Sequence, residues 1–296
     1  IVGTSEGALG TCCDFQSMIT EKGNASGSAF KFPNTVYNAA GGYLSICSGI
    51  KGYNVTVTNG AQSGLASMAY AMSVLRSGQE NAMLATGSDE NSDIMTELFG
   101  KLGVTSEKVV APFAGNDGFV LSDGSASVLI EDEKAARERG ARIYCHAAGY
   151  GMAHSNVKFG TLTGSEAGLT NAVNNALADA GMTIDDIDAV FGFANGMKAV
   201  DDVEIKGLTA VFGDKLAEKP VVELKEVLGE SRAAAATTAA AHAALMFAGK
   251  IPSQEAYSIA ADGSVSKTNV EASKLNNVLV AAYGAGGSYT AIVLSK

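Results

Sequence analysis

The chain has 296 residues, 47% of them hydrophobic, with 35 glycines and a net charge of −10. That length and apolar content suffice for a large α/β core. The acidic balance, with no basic cluster beyond Arg137–Arg139, argues against a nucleic-acid surface and a polybasic membrane surface. No apolar run reaches the roughly 20 residues of a membrane span. Cys12, Cys13, Cys47 and Cys145 have neither metal-ligand spacing nor the density of a secreted disulfide scaffold, so free thiols in a cytoplasmic protein with no metal and no cofactor are expected.

In chain order, strand-like segments fall at Ile1–Thr4, Asn54–Thr58, Ala82–Thr86, Gly118–Leu121 and Ser125–Ile130, followed by a polar helix over Lys134–Arg139 that ends at Gly140. The second half reads as strands at Arg142–Ala148, Ala189–Phe193, Val221–Leu224, Asn277–Tyr283 and Tyr289–Leu294. These alternate with helices at Ser165–Ala180, Val203–Phe212 and Arg232–Gly249, which predicts sheets covered by helices. The Gly- and Ser-rich stretch at 149–164 divides the chain into halves 1–150 and 151–296. Two helices, Ser63–Ser77 and Arg232–Ala248, are small-residue-rich around most of their circumference. A helix without a charged face is buried on all sides. One in each half predicts an internal duplication with two central helices between two sheets.

Between the strand Asn54–Thr58 and the first of these helices stands Asn59-Gly60-Ala61-Gln62-Ser63-Gly64. A strand running through a tight turn into a helix N-terminus is how a nucleophile is presented to a buried substrate. This turn holds no thiol.

Several segments in one order resemble the β-ketoacyl synthases of the thiolase fold, and within them the chain-length factors of type II polyketide synthases. They are Gly3–Gly7, Pro33-Asn34 with Ala39-Ala40, Gly49 and Gly52, the turn with its helix, and Gly87–Glu90. The most specific is Ala111–Ala126 followed by Val128–Glu131, and Tyr283–Gly287 matches the family's gatekeeper loop. The resemblance implies a five-layered αβαβα fold with two duplicated halves. It also implies a segment of about one hundred residues before Ile1 that is missing or on another chain; without it the first sheet would expose an unpaired edge.

The family's active site is a cysteine that forms the acyl thioester and two histidines that donate hydrogen bonds to the enolate oxygen. The resemblance places these at Ala61, Asn195 and Glu230, so no catalytic residue is retained. It implies a structural ion pair between Glu204 and Lys225. It further implies a subunit that does not condense but pairs with an active ketosynthase and limits chain length by closing its acyl tunnel. The strand Asn54-Val55-Thr56-Val57-Thr58 is then the expected dimer contact. Met68, Tyr70 and Met72 are candidates for the tunnel stopper, with core packing as the competing role, and Tyr283, Gly284 and Ala285 form the gatekeeper. An acidic acyl carrier protein needs a basic patch, so it would dock mainly on the partner. Two readings stay open beside this one. Gln62 would serve as an amide donor for malonyl decarboxylation, or Cys12, Cys13 or Ser63 would be an unorthodox nucleophile.

Overall fold

The computed structural model describes residues 1–158 and 161–296. Its elements are β1 (Val2–Gly3), α1 (Leu9–Lys22), α2 (Ala39–Ser48), β2 (Thr56–Val57), α3 (Ser63–Arg76), β3 (Ala82–Asp89), α4 (Asp93–Lys101), β4 (Gly124–Glu131) and α5 (Glu133–Glu138). They continue with β5 (His146–His154), α6 (Glu166–Ala180), β6 (Ala189–Phe191), α7 (Lys198–Phe212), β7 (Val221–Val222), α8 (Lys225–Leu228) and α9 (Ala233–Phe247). The chain ends with β8 (Ser253–Ile259), β9 (Val265–Glu271), β10 (Asn277–Gly284) and β11 (Ser288–Ser295).

Two sheets form, ordered β2-β1-β3-β4 and β5-β11-β10-β6-β7-β8-β9. The internal duplication is visible in their pairing. In the first sheet β2 and β1 are parallel, β1 and β3 are parallel, and β3 pairs antiparallel with β4. The same senses recur for β7, β6, β10 and β11. Helix α3 follows β2 as α9 follows β7, and both lie between the sheets. Their small residues explain how. A Cβ at Gly64 on α3, or at Gly87 on β3, would overlap the Ala233 carbonyl oxygen and the Thr237 hydroxyl on α9. The two helices and the first sheet therefore meet at backbone distance, which only glycine allows.

The inner core joins Leu65, Met68 and Met72 of α3 to Ala239, Ala243 and Met246 of α9, with Val278, Val280 and Ile292 from the second sheet. A second core lies on the other face of the second sheet, where α6 and α7 cover Val190, Leu279 and Val293. The outermost layer on the side of the first sheet is thin, since α1 buries no residue fully.

Several elements differ from the sequence expectation. Gly118–Leu121 is not a strand and makes only isolated bridges from Phe119 and Leu121, because Gly118 packs against the backbone of Val104 and Thr105. The strand expected at Arg142–Ala148 is regular only over β5, so positions 150 and 151 are consecutive residues within one strand. Helix α7 begins at Lys198, five residues before the expected start at Val203. The β8–β9 hairpin was not anticipated; its exposed residues are polar and its burial is confined to a few positions such as Ala256, Ile259 and Val270.

Candidate functional site

The turn into α3 is built by backbone constraints. Gly60 has φ +66°, and Ser63 Oγ accepts from Asn59 N at 2.7 Å while donating to Gly60 O at 2.6 Å. The Ser63 hydroxyl is fully buried and has its hydrogen bonds within the turn, so it is a structural group and not a nucleophile. Ala61 is half-buried beside it. Gln62 is buried, and its side-chain oxygen accepts from Thr290 Oγ1 on β11. Gly284 packs directly over this turn: a Cβ there would lie 2.6 Å from Asn59 O and 3.1 Å from Gln62 Cγ. Tyr283 is buried against Tyr289 and Phe193, with its hydroxyl on Leu162 O at 2.8 Å, while Ala285 is exposed.

The two positions matched to histidines touch each other. Asn195 Nδ2 donates to Glu230 Oε2 at 2.9 Å, and Lys225 Nζ donates to the same oxygen at 2.7 Å. Glu230 Oε1 accepts from Arg232 N at 2.9 Å, so the carboxylate is held on both oxygens. Lys225 also reaches Phe193 O at 3.0 Å. The expected Glu204–Lys225 ion pair is therefore corrected: Lys225 pairs with Glu230. The reason is that Glu230, five residues from Lys225, offers it the nearer countercharge. Glu204 instead accepts from Phe193 N at 2.8 Å.

Asp201 fixes the loop that carries Asn195. Its Oδ1 accepts from Asn195 N at 3.0 Å and Gly196 N at 3.2 Å, and its Oδ2 from Phe113 N at 2.7 Å. Burial raises its carboxyl above the usual range, and these backbone donors oppose that rise. Phe113 takes the positive φ of +63° needed to make this bond. The match of Ala111–Ala126 to the family thus has a mechanical basis.

Sequence reasoning missed the cluster around Arg232. This residue has φ +52°, is almost fully buried, and sits between the second histidine position and α9. Its Nε lies 2.9 Å from Glu6 Oε2, and its Nη2 donates to Glu90 O at 2.6 Å. Asp89, at the end of β3, accepts from Thr4 Oγ1, Ser5 N and Ala233 N. Burial, together with the charge of Asp89, raises the Glu6 carboxyl to about 7 against the pull of Arg232. Only an arginine inside an alanine-rich helix start marked this cluster in the sequence.

The stopper candidates separate. Met68 and Met72 are packed in the inner core, whereas Tyr70 is exposed on the opposite side of α3. Core packing is the role the structure gives the two methionines. In the strand expected as a contact, Asn54, Val55 and Thr58 are exposed, Thr56 is half-buried and Val57 is core. Thr4 N and Val2 N donate to Val57 O and Val55 O, so the backbone groups of Thr56 face away from β1, on the open side of the sheet. Apolar side chains surround that side of the chain in sequence, with Tyr43, Ile46, Ile50 and Tyr53 all exposed. Cys12 lies exposed on α1, Cys13 is half-buried there, and burial raises the Cys145 thiol to about 11. Among the described residues no cluster is able to hold a metal ion, and no helix is long and apolar enough to cross a membrane.

Residues 1–136 match the β-ketoacyl synthase N-terminal domain and residues 144–257 its C-terminal domain. The 3-oxoacyl-[acyl-carrier-protein] synthase 2 of Vibrio harveyi is 29% identical over 75% of this chain and 55% of its own. A protein of Streptomyces cyaneus described as a polyketide β-ketoacyl synthase 1 is 30% identical over 62% of this chain and 45% of its own. The chain thus spans about half the length of these curated relatives. Among solved structures, the ishigamide ketosynthase/chain length factor superposes with a TM-score of 0.86 at 22% identity, covering 100% of this chain and 75% of the other. A type II polyketide ketosynthase complexed with its acyl carrier protein gives 0.87 at 19%, covering 99% and 76%. With both domains matched in order and the duplicated sheets of the thiolase fold in place, the chain belongs to the β-ketoacyl synthase family.

Proposed function

We propose that this chain is a non-condensing subunit of the chain-length-factor type, which pairs with an active ketosynthase and closes the end of its acyl tunnel. One observation carries the reading. Where the family has two histidine donors there is an Asn195–Glu230–Lys225 hydrogen-bonded set, and the turn into α3 holds alanine at the nucleophile position. Condensation needs a nucleophile to carry the acyl chain and donors aimed at the developing enolate oxygen. Ala61 has no nucleophilic atom. Glu230 contributes only acceptor oxygens, and its charge opposes an approaching enolate and the malonyl carboxylate that precedes it. The Lys225 ammonium, which would otherwise attract that carboxylate, is already neutralised by Glu230.

The neighbours support the pairing, since one is a ketosynthase/chain length factor and another a ketosynthase with its acyl carrier protein. In this reading the open side of β2 receives a strand of the active subunit, and Tyr70 is an exposed large apolar side chain of α3 available to the partner. The acyl carrier protein docks mainly on the partner, in keeping with the acidic charge of this chain. The complex works in the cytoplasm. The test is reconstitution with malonyl- and acyl-carrier thioesters. Elongated products are expected only when a Cys-His-His ketosynthase is added. Condensation by this chain alone overturns the reading. Release of carbon dioxide from malonyl thioester by this chain alone, abolished by Gln62→Ala, replaces it with the decarboxylase reading.

A further inference from the structure

Behind the Asn195–Glu230 set lies a second pair of acidic groups. Gly192 directly follows β6, and a Cβ placed there would overlap both Glu204 Oε1 and Glu223 Oε1. The two carboxyl groups therefore converge over one glycine, within hydrogen-bonding reach of each other. Glu204 is 0% exposed and Glu223 4%. Glu204 Oε2 has the Phe193 N–H, but among the described residues Glu204 Oε1 and both oxygens of Glu223 face no N–H or O–H donor. Glu223 is thus a buried, unpartnered side chain aimed at another carboxyl.

Among the described residues the one cation that acts on the pair is Lys225, which lowers both carboxyls less than burial raises them. Asp201 of α7 is itself acidic and is satisfied by three backbone donors. Lys225 of α8 spends its ammonium on Glu230 and Phe193 O, and Glu230 adds a further negative charge. Two anions at this spot would each bear the cost of leaving water and would repel each other. A proton removes both penalties, because a carboxylic acid supplies the missing donor.

We propose that Glu204 and Glu223 share one proton in the folded protein, with Glu223 as the acid that donates its O–H to Glu204 Oε1. Glu204 carries the charge because it alone has a second donor, the Phe193 N–H. Burial drives both groups upward in the same sense, and the neighbouring charge of Glu204 adds to the rise at Glu223. The pair ties the fold behind the site to pH. In the unfolded chain both carboxyls ionise near the ordinary value of about 4.3. A raised acid in the folded state contributes stability that is complete below that value and is lost as pH rises toward the folded value. The folding constant therefore falls by up to tenfold per pH unit for this proton.

The test is infrared spectroscopy of the full-length protein, with its partner subunit where they form a complex, at pH 8. That pH lies well above the ordinary carboxyl range, and Glu6, raised to about 7, is mostly ionised there. A C=O stretching band of a protonated carboxyl is expected in the natural protein and lost in Glu223→Gln, whose amide supplies Glu204 with the missing donor. Stability to urea between pH 7.5 and 9 should fall more steeply for the natural protein than for Glu223→Gln, by up to tenfold in the folding constant per unit. Absence of the band at pH 8 in the natural protein overturns the proposal, as does a band indifferent to Glu223→Gln. If Glu223→Gln does not fold, the presence or absence of the natural protein's band at pH 8 still decides the matter.

Discussion

Lys225→Met tests the most consequential substitution in the site. Lys225 and Glu230 form an ion pair whose side chains are 12% and 6% exposed. Removing the lysine leaves the Glu230 carboxylate buried with two neutral donors, Asn195 Nδ2 and Arg232 N. Breaking a buried pair from one side costs about 3–5 kcal/mol, because the remaining charge has left water without its partner. Methionine keeps the bulk of the lysine stem, so the loss is mainly electrostatic. A chain of this size loses about 2 °C of midpoint per kcal/mol, which predicts a fall of roughly 6–10 °C. Glu230→Gln should cost less, since the carboxamide retains an acceptor for Asn195 and Lys225 keeps Phe193 O. The double variant should recover part of the Lys225→Met loss, giving a coupling of about 1–3 kcal/mol in a urea-unfolding cycle. A Lys225→Met loss under about 1 kcal/mol, or strict additivity in the double variant, would refute the desolvated ion pair and with it the account of Glu230 as a locked anion.

Ala61→Cys alone should yield no condensing activity, because both donors remain absent and one member of a cooperating set does not restore the others; elongated products from that variant would show the matching of Asn195 or Glu230 to be wrong. Thr56→Pro should leave the monomer folded, since the lost N–H is on the open side of β2, and should weaken partner association in sedimentation. Val57→Asp should unfold the chain, because Val57 packs in the core. Gly64→Ala should be destabilising by about 1–3 kcal/mol or more, measured by urea unfolding, since its methyl meets the Ala233 carbonyl at the crossing of α3 and α9. Glu6→Gln should flatten the stability profile between pH 4.5 and 7. A carboxyl raised to about 7 contributes stability fully below its unfolded value and loses it as pH rises through 7, by up to roughly 3 kcal/mol. An unchanged profile would show that Arg232 holds Glu6 ionised.

What was legible in the sequence was what small side chains and position reveal. Gly64 and the alanines of α9 announced close helix contact, and the order of β2, the turn and α3 followed from β-branched residues meeting Gly60. Direction was harder to read. Met68, Tyr70 and Met72 are similar in size and close in sequence, yet two face the core and one faces out, because a helix turns about 100° per residue. The resemblance marks the whole strand Asn54–Thr58 as a contact without saying which of its side chains face inward, and Val57 is the one that packs in the core. The Glu204–Lys225 pairing failed for a different reason. It was carried over from the resemblance, in which position 230 is a donor, and here position 230 is an anion that competes for the same ammonium. Arg232 shows only as an arginine at an alanine-rich helix start, and its pairing with Glu6 has no local signature, since the two lie far apart in sequence.

These replacements also compensate one another in a way that single positions do not disclose. Exchanging a histidine for Glu230 puts a charge into a buried site, which is unfavourable unless a cation answers it. Lys225 answers it, and that leaves the carboxyl of Glu204 without a paired cation. Glu223, two residues before Lys225, stands beside the group so abandoned and supplies it with a hydrogen as an acid. On this account reverting Glu230 to histidine alone should not recover the family's site. It would free Lys225 to approach Glu204, ionise that carboxyl without help, and leave Glu223 as a surplus acid in a full cavity. Glu230→His should therefore be less stable than Glu230→His combined with Glu223→Ser, in which the surplus group is removed. Equal urea midpoints for the two variants would show that the two acidic sites are independent.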